Sequence, residues 1–236
     1  MKIMNELLLI GSMLFAYGAV LVAWRFFGKA GLFAMTAFCT IVSNIEVMIL
    51  IHAFGMEQTL GNMLFASSFV ITDILSENEN KAAAQKAVNL GIFISVVFIL
   101  ISQSWMVYRT ADEGGVYQAI RTVFSNTPRI MFVSIAVYAI SQRFDVWLYH
   151  KIWDLTKRKN GDSRRFLWLR NNGATLTAQL LNNVLFTFGA FLGTYSLPTL
   201  MSILASSYLI YIVTSFCDTP VVYLARKIHE KYPLKN

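Results

Sequence analysis

Carboxylates and amides recur in this chain inside stretches that are otherwise almost wholly apolar. One set is Ser43, Asn44 and Glu46, and a second is Thr72 and Asp73 followed by Ser76 and Glu77. Asp73 and Glu77 share a helical face at i, i+4. Gln142 and Asp145 share another at i, i+3, with Arg143 rotated about 100° from Gln142. Thr175, Gln179, Asn182 and Asn183, with Phe186, make a stripe of amides. Cys217-Asp218-Thr219-Pro220 sets a carboxylate beside a proline, whose missing N–H loosens the local helix. Asp and Glu accept hydrogen bonds from ring N–H and amino groups, and Asn and Gln pair with a lactam edge. Such a set suits a flat, donor-rich heterocycle or vitamin-like solute. Phe65, Phe69, Trp147, Trp168 and Phe186 offer stacking faces for it.

Each position has a plainer reading. A lone Ser, Thr or Asn within an apolar helix serves as an interhelical hydrogen bond, and Asp73, Glu77 and Asp145 could reach lipid headgroups or cap Lys81 or Lys151. Polar groups in a bilayer cost a few kcal/mol unless they meet a partner or a water-filled cavity. Five of seven apolar runs contribute them, whereas the first and fourth contribute almost none, and that convergence points to a polar cavity between helices.

Enzyme signatures are missing. The sequence has no Gly-x-x-x-x-Gly-Lys-Ser/Thr phosphate loop, no His-Glu-x-x-His and no Gly-x-Ser-x-Gly. His52, His150 and His229 are scattered, and Cys39 and Cys217 fall in apolar segments without a His or Cys neighbour at metal-ligand spacing. We expect no catalytic residue, metal or cofactor.

The elements that hold these groups follow from composition. The 236 residues are 56% hydrophobic and only 14% charged, against about 25% charged for a soluble domain. Apolar runs of the ~20 residues that a bilayer core requires are found at 7–27, 31–54, 61–75, 87–108, 129–149, 175–193 and 197–224. None alternates as a barrel strand does. The expected fold is an all-α polytopic membrane bundle of seven transmembrane helices in one domain, 1–236. The first run is too long for the apolar part of a signal peptide. Tyr117, Ile120, Val123 and Phe124 recur at helical spacing and fit a short interfacial helix.

The net charge of +7 does not indicate nucleic-acid binding, because the basic residues sit between the apolar runs. With seven crossings, fifteen of the 20 Lys and Arg lie on one side: Arg25 and Lys29, Lys81 and Lys86, seven from Lys151 to Arg170, and four in the C-terminal tail. The positive-inside rule then places the C-terminus in the cytoplasm and the N-terminus outside. Asp73, Asp145 and Asp218 recur at intervals of 72 and 73 residues, each near the inner end of an outward-to-inward span. Gly11, Gly18, Gly189 and Gly193 provide small-residue surfaces on which helices, or two copies in a homodimer, can approach.

Six segments carry a family resemblance: Ser43-Asn-Ile-Glu-Val47, Gly61-Asn with Ile71-Thr-Asp-Ile-Leu-Ser-Glu77, Ser141-Gln-Arg-Phe-Asp-Val-Trp147, Leu167-Trp-Leu-Arg-Asn-Asn172, Ala178-Gln-Leu-Leu-Asn-Asn183 and Cys217-Asp-Thr-Pro-Val-Val-Tyr-Leu-Ala-Arg226. The chain resembles the queuosine precursor transporters, also called the vitamin uptake transporter family. The resemblance implies a six-helix core, 30–236, with residues 1–29 as an added N-terminal helix. It implies import of 7-deazaguanine bases such as preQ0, preQ1 or queuine, or of queuosine, across the bacterial cytoplasmic membrane. It adds Arg170, Asn171 and Asn172 to the substrate-binding candidates Asn44, Glu46, Phe69, Asp73, Glu77, Gln142, Asp145, Gln179, Asn182, Asn183 and Asp218. Two departures stand out. Asn183 replaces an acid that many members carry, which bears on substrate preference, and Asn78-Glu-Asn-Lys-Ala-Ala-Ala84 replaces a Gly- and Lys-rich turn. The alternative is a substrate-capturing membrane subunit that needs a separate ATP-driven module.

Overall fold

The computed structural model describes residues 2–109, 115–124, 128–160 and 164–232. Among them the chain forms helices α1 (Lys2–Glu46), α2 (Asn62–Asn78), α3 (Lys81–Ser104), α4 (Gly115–Phe124), α5 (Pro128–Asn160), α6 (Leu167–Phe191) and α7 (Leu197–Lys231), with one hairpin of β1 (Leu50–Ala53) and β2 (Met56–Thr59). The architecture is an all-α membrane bundle. Phe15, Phe26, Phe93, Leu100, Phe132, Val213 and Phe216 point outward with most of their surface uncovered. Helices apolar on both faces belong in lipid.

Among the described residues four stretches are long and apolar enough to cross a membrane: Met4–Glu46, Lys81–Ser104, Arg129–Lys157 and Leu197–Lys231. The first contains two arms, because α1 breaks at Gly28, whose φ of 58° and ψ of −142° suit a residue without Cβ. The turn is tight: a Cβ on Gly31 would meet the Ala23 carbonyl and, at 2.9 Å, the Phe27 Cβ. Arms 2–27 and 29–46 therefore run antiparallel. Helix α2, at 17 residues about 25 Å long, is buried along most of its length. Helix α6 turns Arg170, Asn171, Gln179 and the other amides inward. Both are walled by protein: α2 packs on α1, α7 and α3, and α6 lies between α5 and α7.

The second apolar run does not stay helical to Phe54. It ends at Glu46, and 47–49 turn into the β hairpin, where Leu50 pairs with Thr59 and Ala53 with Met56. Phe54 (φ 56°) and Gly55 (φ 75°) both adopt positive φ, as a two-residue hairpin turn requires. An apolar run cannot by itself separate strand from helix. The first arm of α1 holds the hairpin, with Asn5 donating to the His52 carbonyl (3.0 Å) and the Phe54 N–H donating to Glu6 (2.9 Å). At the same end α4 forms as its spacing predicts. It seats Phe124 edge-on against Trp105 (5.3 Å) and Phe98 (6.0 Å).

At the other end, Asn80 caps α3 by accepting from the Ala83 N–H (2.9 Å). Pro198 occupies the first turn of α7, and Pro220 lies inside it. Of the small-residue positions, Gly11 and Gly18 face open space, whereas Gly189 is packed under Val133.

Candidate functional site

Four polar layers stack along the bundle from the hairpin end to the opposite end. The outermost is a cavity of about 100 Å³ beneath the hairpin, between the second arm of α1 and helices α2, α3, α5, α6 and α7. Cavities that enclose drug-sized ligands run to about 300–1,000 Å³, so the cavity in this conformation is a small one. Asn44, Asn62, Asn182 and Asn183 supply amides to its wall, and Phe65, Tyr138, Phe186 and Tyr211 supply rings.

Several of these groups are held by the protein. Asn44 donates to the Thr40 carbonyl (2.7 Å), Asn183 to the Leu204 carbonyl (2.7 Å), and Asn182 Oδ1 accepts from Ser141 (3.2 Å). Tyr211 donates to Asn62 Oδ1 (3.2 Å). Asn62 Nδ2 has no partner among the described residues and is a free donor on the cavity wall, whereas the Tyr138 hydroxyl lies beside Thr40.

Gln142 closes the second layer. Its Nε2 donates to Ser68 (2.7 Å) and its Oε1 accepts from Thr72 (3.4 Å), joining α5 to α2 beneath the cavity. Phe69 lies in the same zone, fully buried, with its ring edge-on to Phe65 at 5.5 Å.

The third layer is acidic. Asp73, Asp145 and Asp218, from α2, α5 and α7, are 1%, 0% and 0% exposed and lie within electrostatic reach of one another. The interval of 72 and 73 residues thus brings three carboxyls to one level of the bundle. Thr175 donates to Asp73 Oδ2 (3.1 Å), and Tyr17 donates to Asp218 Oδ1. Asp73 Oδ1 and Asp218 Oδ2 are left without partners among the described residues, and Asp145 has only the Thr175 hydroxyl that it shares with Asp73.

Gln179 and Asn171 lie one turn to either side of Thr175 on the same face of α6. Neither amide atom of Gln179 is satisfied, nor is Asn171 Oδ1. Asn171 and Asn172 donate to Thr219 (3.3 and 2.7 Å) beside Asp218. The layer is rich in acceptors and short of donors. Among the described residues no group of three His, Cys, Asp or Glu has the geometry to hold a metal ion.

The fourth layer is a clamp. Glu77 accepts three hydrogen bonds from Arg170, Nε at 2.9 Å and Nη2 to both oxygens at 2.6–2.7 Å, one from Tyr149 (2.8 Å) and one from Arg226 (3.5 Å). Arg170, fully buried, also lies 4.3 Å over the Trp153 ring and donates to the Arg165 carbonyl (2.8 Å). Helices α2, α5, α6 and α7 are tied together there. The guanidinium nearest the acidic layer is thereby committed to Glu77.

The candidate residues divide accordingly. Asn44, Asn182 and Asn183 line the cavity; Gln142 and Phe69 lie beneath it; Asp73, Asp145, Asp218, Gln179, Asn171 and Asn172 form the closed acidic core; Glu77 and Arg170 form the clamp. Glu46 joins none of them. It lines a second, separate cavity on the far side of the arm 29–46. Trp147 and Trp168 face outward.

Sequence reasoning quoted Asn62 only within a matching segment and passed over Ser68, Tyr138 and Tyr211. Ser68 and Tyr138 are each one turn along a face already marked, from Thr72 and from Gln142. Extending those faces would have found them.

A lipid-surfaced helix bundle with a polar, aromatic-walled cavity near one end and a closed polar core behind it is the architecture of a multi-pass membrane protein that handles a small solute. The family described as "Putative vitamin uptake transporter" matches residues 59–225. A protein of Bacillus subtilis (strain 168) named "Probable queuosine precursor transporter" is 35% identical over 209 residues, 89% of each chain. No solved structure matches. The chain belongs to the vitamin uptake transporter family, whose members are transporters and not enzymes.

Proposed function

We propose that this protein imports a queuosine precursor, a 7-deazaguanine base such as preQ0, preQ1 or queuine, across the bacterial cytoplasmic membrane, with the N-terminus outside and the C-terminus in the cytoplasm. The observation that carries this reading is the donor-poor core. Asp73, Asp145, Asp218 and Gln179 offer unpartnered acceptor atoms, fully buried, to a heterocycle edge bearing ring N–H and amino groups. The 35% identical relative's name supports the substrate class. The orientation is supported by the basic residues Lys81, Lys86, Arg164, Arg165 and Arg226, which cluster at the clamp end.

In this scheme the base enters under the hairpin and stacks on Phe65 and Phe186. Asn44, Asn62, Asn182 and Asn183 read its lactam edge. Gln142 then releases Ser68 so that the amino edge can meet the acids, and parting of the Glu77–Arg170 clamp opens the path inward. Residues 30–236 act as the six-helix transport core, and the first arm of α1 steadies the hairpin and Asp218. Neither metal nor cofactor enters the scheme.

The test is thermal stabilisation of the detergent-solubilised chain by each 7-deazaguanine base, with guanine for comparison, since a ligand of the folded state raises the unfolding midpoint. Stabilisation by at least one 7-deazaguanine base is expected; none by any of them refutes the substrate class. Uptake of labelled base into liposomes holding this chain alone is the companion measurement. Transport only with a separate ATP-driven module would instead assign the chain to substrate capture.

A further inference from the structure

Glu46 stands on the wall of a cavity that transport does not use. This groove, about 500 Å³, lies between the two arms of α1, the hairpin and the start of α2. Its walls are apolar: Leu8, Phe15 and Ala19 on the first arm face Met35, Phe38 and Val42 on the second. Its other polar side chains, Asn5 and Ser12, are engaged with the carbonyls of His52 (3.0 Å) and Leu9 (2.9 Å). The Glu46 carboxylate, half-buried, has no hydrogen bond or ion pair among the described residues. Water does not suit so apolar a space, because an ordered water needs two or more polar partners. A lone carboxylate lacks the ligands of a metal site.

The shape and charge together specify an amphiphile, a long apolar body with one cationic, hydrogen-donating end. We propose that this groove holds an acyl chain of a bilayer phospholipid with a primary amine headgroup, whose ammonium is seated on Glu46. The charge-assisted bond satisfies the carboxylate, and the chain fills space that both arms leave open to the bilayer. The arm 29–46 makes the site more than a lipid contact. Its one face, through Thr40, Ser43 and Asn44, is the wall of the substrate cavity, and its other, through Met35, Phe38 and Glu46, is the wall of the groove. The lipid therefore braces the partition between them.

The test uses the full chain in nanodiscs of phosphatidylethanolamine or of phosphatidylglycerol with the same acyl chains, followed by native mass spectrometry and thermal unfolding. One phosphatidylethanolamine is expected to stay with each chain after release, with an unfolding midpoint about 2–4 °C above that in phosphatidylglycerol. Glu46→Gln should remove the difference between the two lipids. Ala16→Trp, which fills the groove, should remove retention while the chain remains helical by circular dichroism. Equal retention of both lipids, or retention unchanged in Glu46→Gln, would overturn the headgroup assignment. A lipid-free mass, with a single chain or with two, would overturn the site. None of these readouts depends on transport of a base, so the lipid site and the transport function stand or fall separately.

Discussion

Asp145 has two carboxyl oxygens in a fully closed core and, among the described residues, only the Thr175 hydroxyl, shared with Asp73, to meet them. Asp145→Asn keeps the shape and replaces one acceptor by a donor. Leaving a buried donor or acceptor unsatisfied costs about 1–3 kcal/mol, so affinity for the precursor should fall roughly 5- to 100-fold, and uptake at low concentration with it. Expression and the unfolding midpoint of the free protein should persist; normal uptake in the variant would show that the acid serves only packing or headgroups. Asp73→Asn should behave alike. Asn183 lines the outer cavity, so Asn183→Asp should reorder the precursor bases in a competition assay without abolishing uptake. Glu77 differs, because Glu77→Gln strands a buried guanidinium. Breaking a buried pair costs about 3–5 kcal/mol, and the unfolding midpoint should drop by roughly 10 °C. The acids were legible in the sequence because charge inside an apolar run is conspicuous. Tyr138 and Tyr211 were not, among 33 aromatic residues of which most face lipid or core. Glu46 was legible as polar but misgrouped. Two residues apart on a helix is about 200° of rotation, and the structure places Asn44 on one cavity and Glu46 on the other.

The hairpin is the element least visible in the sequence. Ile49 to Phe54 continues the apolar character of the helix before it, and only Phe54-Gly55 marks a turn. Both strands are four residues long, too short for alternation to declare itself. Its seat on the bundle is narrow: a Cβ at Gly61 would lie 2.9 Å from the Ser43 carbonyl oxygen and 2.9 Å from the Val47 nitrogen, both backbone atoms. Gly61→Val should push the hairpin from the arm 29–46 and cut stabilisation by the precursor base at least about tenfold in apparent affinity, some 1.4 kcal/mol. The free protein should remain helical, and an unaltered response to ligand would show that the hairpin does not close the cavity. The α1 bend was partly legible, since Arg25, Gly28 and Lys29 interrupt the apolar pattern. The tight antiparallel return was not, because it depends on Gly31 lying against Ala23.

At the scale of the molecule, class and helical architecture followed from composition, because a bilayer imposes run length and low charge together. The pairing of helices did not, since it depends on which buried side chains meet. Orientation remains to be measured. With Cys39 and Cys217 replaced by Ser, a cysteine introduced at Phe54 in the hairpin should react with an impermeant thiol reagent on intact cells. One at Arg164, between α5 and α6, should react only after lysis. The reverse pattern would invert the topology.

Two hydrogen bonds close the bundle on itself across 201 residues each: Tyr17 to Asp218, and the Trp24 indole to the Ala225 carbonyl at 3.0 Å. A growing chain is inserted from its N-terminus, so the first arm must wait in the membrane, both donors idle, until the last helix leaves the ribosome. A chain stopped before Asp218 leaves both the phenol and the indole without acceptors, and one stopped between Asp218 and Ala225 leaves the indole alone. Helix α7 therefore supplies the partners that the first arm of α1 needs before either of its polar ring groups is satisfied.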